Sequence, residues 1–357
     1  MLSWERNTME NYFDAAATTP LDSRVIAVME KHMEKFGNNN SRHVRGFEAQ
    51  KVIDESLSTI ADLLGVTAAQ LAVTYSGTDS NRRFLWACSK RFGWENITCS
   101  RVEHSSILDE VPEKNHFCPR AFCDELFKNP PKVLAQMKAN AETGEMFDST
   151  NFKKRFPETI ILEDWSQAIG KGLKFDIDHV DAVSFAPQKI YGPKMVGLLY
   201  LKNPEDFPEL SKDRHTKNCW LIAGMAEAFR IAFEEEKETV EKLKRWTEQI
   251  ETCVKNIPDS KIHSSDFDRI PGTISVAFKG LRGAELMSVL SEKEGLCVST
   301  GSACTSDILV PTKTIAYIEQ DPEWQYPVRI SLHKFLTDKA VENFCETLKH
   351  YVEELRG

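Results

Sequence analysis

Apolar positions along this 357-residue chain follow two rhythms. One is the three-to-four-residue spacing of an amphipathic helix, the other the short unbroken run of a strand buried on both faces. Val25, Met29, Met33 and Phe36 share a helical face and Gly37 supplies a stop, which predicts a helix over residues 22–36. Val52, Ile53, Leu57, Ile60 and Leu64 predict a second helix over 47–64, closed by Gly65. Strand-like runs follow at 71–75, 97–100, 133–136, 159–164, 181–186 and 196–201. Residues 110–131 read as short and irregular. Residues 218–255 read as one helical stretch between domains, with Val240, Leu243, Trp246 and Ile250 on one face, and from 270 onward strand and helix patterns restart.

Strands alternating with helices predict an α/β fold with a mostly parallel mixed sheet between helices, here a large domain over 14–250. The restart predicts a smaller α+β C-terminal domain over 251–357, joined by the N-terminal segment 1–13. Ligands of mostly parallel sheets collect at the C-terminal ends of the strands. Thr78, His104, Asp164 and Lys189 all fall at such ends in this reading.

Those four residues can serve one cofactor. Pyridoxal phosphate (PLP) needs an amine as covalent anchor, an acid beside its pyridine nitrogen, a flat group against its ring and donors for its phosphate. Lys189, Asp164, His104 and the Gly77-Thr78 turn into a helix can supply them in that order. Gln167 can bond the ring's phenolic oxygen, and Lys189 can also move protons at a substrate α-carbon. Taken singly, each residue has a plainer reading: a surface lysine, a helix cap, a structural histidine. Cys304 lies in a loop of small and hydroxyl residues, Ser299 to Asp307, where a thiol can reach a substrate once a neighbour lowers its pKa. Arg329, on a strand-like run, suits a carboxylate clamp or a salt bridge.

Composition narrows the setting. With 41% hydrophobic and 28% charged residues and no apolar run of spanning length, the chain reads as globular with no membrane partner. The first residues lack a secretory pattern, so a cytoplasmic location is expected. Nine scattered cysteines without CxxC pairs favour neither a disulfide framework nor a zinc site, and no metal is expected. A net charge of -9 argues against direct nucleic-acid binding.

Read together and in order, several segments resemble the cysteine desulfurases of the class V aminotransferase group, which are fold-type I PLP enzymes. They are Asp14 to Pro20, Phe36-Gly37-Asn38 with Ser41-Arg42-His43, Thr78 to Asn81, Glu103-His104, Asp164 with Gln167 and Gly170, Lys189 to Lys194, Ser299 to Ser306, and Arg329 with Ser331. The resemblance implies conversion of L-cysteine to L-alanine, with Cys304 taking the sulfur as a persulfide for an acceptor protein. It implies catalytic roles for Cys304, Lys189 and His104. Cofactor contacts are implied from Lys189, Asp164, Gln167, His104, Gly77, Thr78, Gln188 and Thr216, and substrate contacts from Arg329 and Asn140. It further implies a homodimer in which Thr216 reaches the neighbouring subunit's cofactor. The Asp14 to Thr19 and Ser-Arg-His segments are similar to members serving DNA phosphorothioation. A related class V lyase or aminotransferase, and a catalytically impaired scaffold, are the competing readings. The chain departs from the family pattern at Gln188 for histidine, Ala186 for serine, Ala141 for asparagine, and in a shorter 211–215 loop. Each lost neutral hydrogen bond costs about 1 kcal/mol, roughly fivefold in affinity, so weaker PLP binding is expected.

Overall fold

The computed structural model describes residues 9–120, 124–211, 215–301 and 310–357. The chain divides into two compact units. One takes Pro20–Lys138 and Phe147–Glu236; the other takes the N-terminal segment up to Thr19, Ala139–Met146 and Lys237–Gly357.

The first unit is built on a seven-stranded sheet of β1 (Leu71–Thr74), β2 (Ile97–Ser100), β3 (His116–Phe117), β4 (Val133–Met137), β5 (Ile160–Asp164), β6 (Ala182–Phe185) and β7 (Gly197–Leu201), in the order β1-β7-β6-β5-β4-β2-β3. Neighbours from β6 to β3 are parallel, while β7 runs antiparallel to both β6 and β1. Two reversals restore direction, so β1 points the same way as β2, β5 and β6. Their C-terminal ends therefore meet at one edge.

Alternation along each strand explains the unbroken apolar runs. Leu134, Ile161, Val183 and Leu198 join a core with helix α1 (Ser23–Met33), helix α2 (Val44–Leu64) and the helix Cys219–Glu234. Their chain neighbours Ala135, Leu162, Ala182 and Leu199 join a separate core with Phe84, Leu85 and Cys88 of helix α3 (Gly77–Phe92). A strand with helices on both faces has no solvent side and needs no polar alternation.

Differences from the sequence reading have local causes. Helix α1 stops at Met33, and Phe36, expected on its buried face, is 80% exposed. Helix α2 starts three residues early because the His43 imidazole caps it, accepting from Gly46 N at 3.3 Å. The stretch read as irregular holds edge strand β3 and a helical turn, Asp124–Lys128. The single helix expected over 218–255 is two, Cys219–Glu234 and Glu236–Lys255, which bury their apolar residues in different cores.

In the second unit, β8 (Ser260–Ile262), β9 (Thr273–Phe278) and β10 (Val328–Ser331) form an antiparallel sheet in the order β10-β9-β8. Its core takes Leu243, Trp246 and Ile250 from helix Glu236–Lys255, and Phe344 and Leu348 from helix Asp338–Arg356. Phe13 stacks on Phe344 with centroids 4.2 Å apart, which fixes the N-terminal segment beside β10. Among the described residues no helix is long and apolar enough to cross a membrane.

Candidate active site

Lys189 closes a short 3-10 turn, Pro187–Lys189, directly after β6. Proline at the first turn position has its φ preset, and the chain then bends sharply through Tyr191 at φ 65°. Gly192 is required just beyond: a Cβ there would lie 2.8 Å from both Ala228 Cβ and Pro187 O. The turn is thus locked against the helix Cys219–Glu234, and the half-buried Lys189 is held at the strand end.

Asp164 is the last residue of β5 and is 7% exposed. Its Oδ1 accepts from Ser166 N at 2.8 Å and its Oδ2 from Asn81 Nδ2 at 2.9 Å. Asn81, one turn into α3, also donates to Ser106 Oγ at 3.0 Å. Ser106 in turn meets the His104 ring: its backbone N–H donates to Nδ1 at 3.1 Å, and its Oγ lies 2.9 Å from the same nitrogen. Because Nδ1 accepts, the proton of the neutral ring sits on Nε2. Burial lowers the His104 pKa, with Asp164 and Lys189 close enough to act on it in opposite directions. Asp164, Asn81, Ser106 and His104 thus form one continuous chain, buried up to the half-buried His104, and the sequence pattern assigns neither Asn81 nor Ser106 a role. The only available signal was Asn81's place in a matching segment.

Two buried atoms beside this chain, Asn81 Oδ1 and Ser184 Oγ, have no hydrogen-bond partner among the described residues. Ser184 pairs in register with Asp164 and shares its face of the sheet. Beneath the edge, Glu163 accepts from Ser149 Oγ and Trp165 Nε1, each at 2.6 Å, and its Oε1 lies 3.2 Å from His179 Nε2. Burial alone would raise Glu163; the His179 bond, Lys138 and Ser149 outweigh it and leave its pKa lowered. Burial would lower His179, yet Glu163 outweighs it and leaves its pKa raised.

The other end of the edge is more open. Gly77 and Thr78 begin α3, whose cap Ser76 accepts from Asp79 N at 3.0 Å. A Cβ on Gly77 would lie 3.1 Å from Ser166 Oγ and 3.2 Å from the Ala186 methyl, so Ser166 brings a hydroxyl where the residue at 186 has none. Gln188 is half-buried. Gln167 is 5% exposed, with Lys171 Nζ 3.5 Å from its Oε1. Thr216 is exposed and its Oγ1 accepts from Asn38 Nδ2 at 3.1 Å, while neighbouring His215 packs against the Tyr75 ring, centroids 5.0 Å apart.

The second unit holds the remaining predicted residues. Arg329, on β10, is 2% exposed; its Nη2 meets Asp14 Oδ1 at 2.6 Å and its Nη1 donates to Ala141 O at 3.3 Å. Its buried Nε has no acceptor among the described residues. Asn140 Oδ1 accepts from Glu142 N and Thr143 N at 2.8 and 3.0 Å, shaping the turn that presents the Ala141 carbonyl. Burial raises the Glu142 pKa; its Oε2 accepts from Thr312 Oγ1 and would lie 2.9 Å from a Cβ on Gly301. Cys304 lies outside the described residues.

Comparison with known proteins gives this arrangement a family. The aminotransferase class-V model matches residues 11–344. The chain is 30% identical to cysteine desulfurase IscS of Haemophilus influenzae, over 97% of this chain and 93% of that protein. The chain belongs to the aminotransferase class-V family, among the cysteine desulfurases. A solved NifS-like protein is 26% identical and superposes with a TM-score of 0.83, covering 96% of this chain and 99% of that one. A structure titled SspA in complex with cysteine shares the fold at 22% identity and a TM-score of 0.70, covering 92% of this chain and 100% of that one.

Class-V enzymes work with PLP, and the residues present fit that group. Asp164 is a buried carboxylate with only neutral hydrogen-bond donors, and no described cation forms a salt bridge with it. An uncompensated buried carboxylate is costly, and a protonated ring nitrogen is the partner it lacks. His104, Lys189 and the N-terminus of α3 lie on the same sheet edge.

Proposed function

We propose that this chain is a PLP-dependent cysteine desulfurase that converts L-cysteine to L-alanine and stores the sulfur on Cys304. The observation that carries the reading is the hydrogen-bonded chain from Asp164 through Asn81 and Ser106 to His104, at the same sheet edge as Lys189. Bound PLP supplies an electron sink for bonds at the substrate's α-carbon. Asp164 would hold a protonated ring nitrogen, Gln167 would bond the phenolic oxygen, and His104 would present a flat neutral face. Gly77, Thr78 and Gln188 would hold the phosphate, and Thr216 would hold that of the neighbouring subunit in a homodimer.

Lys189 anchors the cofactor and moves a proton at the substrate α-carbon. Arg329 binds the substrate carboxylate, with its partnerless Nε as the unfilled donor, and Asn140 holds the turn beside it. The Cys304 thiolate attacks the substrate sulfur. A C–S bond breaks, an S–S bond forms, and the methylene carbon takes the electron pair and a proton. Overall, Cys304 thiol and cysteine give Cys304 persulfide and alanine. The persulfide then passes its outer sulfur to an acceptor protein; the similarity of Asp14 to Thr19 and Ser41-Arg42-His43 to phosphorothioation members supports DNA phosphorothioation as the destination.

The test is purified protein titrated with PLP and then given L-cysteine. The expected result is a yellow protein releasing alanine with one sulfur per turnover, lost in both Lys189→Ala and Cys304→Ala. Colour without cysteine-dependent sulfur release would favour a lyase or aminotransferase. Absence of both would favour the scaffold reading, which Ala141, Ala186 and Gln188 motivate.

A further inference from the structure

A second thiol chemistry sits in the Lys237–Gly357 part of the chain, on two helices that carry none of the predicted site residues. Cys253 lies in the last turns of helix Glu236–Lys255 and Cys345 in the first half of helix Asp338–Arg356. The two are 92 positions apart, yet Cys253 Sγ donates to Cys345 O at 3.4 Å. Both are half-buried free thiols, and Cys345 packs against the core of this unit. Their neighbours Val254 and Phe344 are fully buried in that core, so the two helices are held together independently of the sulfurs.

We propose that Cys253 and Cys345 form a redox-active dithiol that reacts with low-molecular-weight disulfides and closes into an intramolecular disulfide joining the two helices. A reactive pair needs an attacking thiolate and a resolving thiol beside it. Proximity to Cys345, opposed by burial and aided by Lys349, lowers the Cys253 pKa to about 7. The same contact raises Cys345, keeping it protonated until it resolves. Cys88, Cys219 and Cys297, by contrast, are pushed up by burial. At neutral pH Cys253 is thus the favoured nucleophile of these cysteines.

The exchange balances in two steps. The Cys253 thiolate attacks one sulfur of the small disulfide, whose S–S bond breaks and releases a thiolate. Cys345 gives its proton to solvent and attacks the Cys253 sulfur, and the second small thiol leaves. The protein thiols lose two electrons, and the small disulfide becomes two thiols.

The test uses the full chain with Cys304→Ser, so that the loop thiol does not compete. It is incubated with oxidised glutathione and mapped by mass spectrometry without reduction. The expected product is one linked peptide pair containing Cys253 and Cys345, with both thiols lost to alkylation and recovered by reductant. In Cys345→Ser, Cys253 should instead retain one glutathione; in Cys253→Ser, Cys345 should collect none at the same dose. Oxidised protein should melt at a higher temperature than reduced protein, because the link closes a long loop in the unfolded chain. Persistent alkylation of both cysteines in the unvaried pair, or glutathione collecting on Cys345 first, would overturn the proposal. Neither result depends on bound PLP or on desulfurase turnover.

Discussion

The two ends of the Lys189 sheet edge are built on different terms. At the Asp164 end, buried Asn81 and Ser106 are bonded in line to a half-buried His104. At the Gly77 end, the candidate donors are backbone groups of a helix start and a half-buried Gln188. The first end is preorganised by the fold through side chains bonded to one another. The second carries Ala186 where the family resemblance expects a serine. Preorganisation is worth most where groups are buried, because an unpaired polar atom there has no water to turn to. On the proposed reading, the contrast assigns orientation of PLP to one end and any loss of affinity to the other.

The largest break in that contrast should come from Asp164→Ala, which removes a charged partner worth roughly 1.5–3 kcal/mol. PLP affinity by absorbance titration should fall about 100-fold. A loss under threefold would mean that Asp164 does not hold the ring. Asn81→Ala should cost about tenfold, since both Asp164 and Ser106 lose a donor. Combined with Ser106→Ala the losses should be less than additive; full additivity would show that the two do not act as one chain.

A smaller effect tests the support beneath the edge. The lowered Glu163 contributes stability that is present above its unfolded pKa and lost as pH falls through its folded value. The raised His179 contributes stability that is complete below its unfolded pKa and lost as pH rises through its folded value. Melting temperature should therefore peak between the ordinary carboxylate and ordinary histidine pKa values and decline on either side, towards the lowered Glu163 and the raised His179 values. Glu163→Gln should flatten both flanks, and an unchanged profile would remove this pair as their source. The smallest effect sharpens the open end: Ala186→Ser should tighten PLP by about fivefold, one neutral hydrogen bond. No gain would indicate that Ser166, 3.1 Å from the Gly77 Cβ position, already supplies that hydroxyl.

The sequence by itself determined the strand runs, the order of the class-V motifs and the placement of Thr78, His104, Asp164 and Lys189 at strand ends. These are local signals: apolar runs record burial on two faces, and glycine and proline record backbone shape at Gly192 and Pro187. Tertiary structure decided what local pattern does not carry. The helix break at Glu235 follows from two cores claiming the two halves of one helical stretch. The Asn81–Ser106 link joins residues 25 positions apart, and Cys253 meets Cys345 across 92. An asparagine in a helix and a cysteine on a helix face look ordinary along the chain. Their chemistry appears only when folding removes water and puts one particular partner within reach.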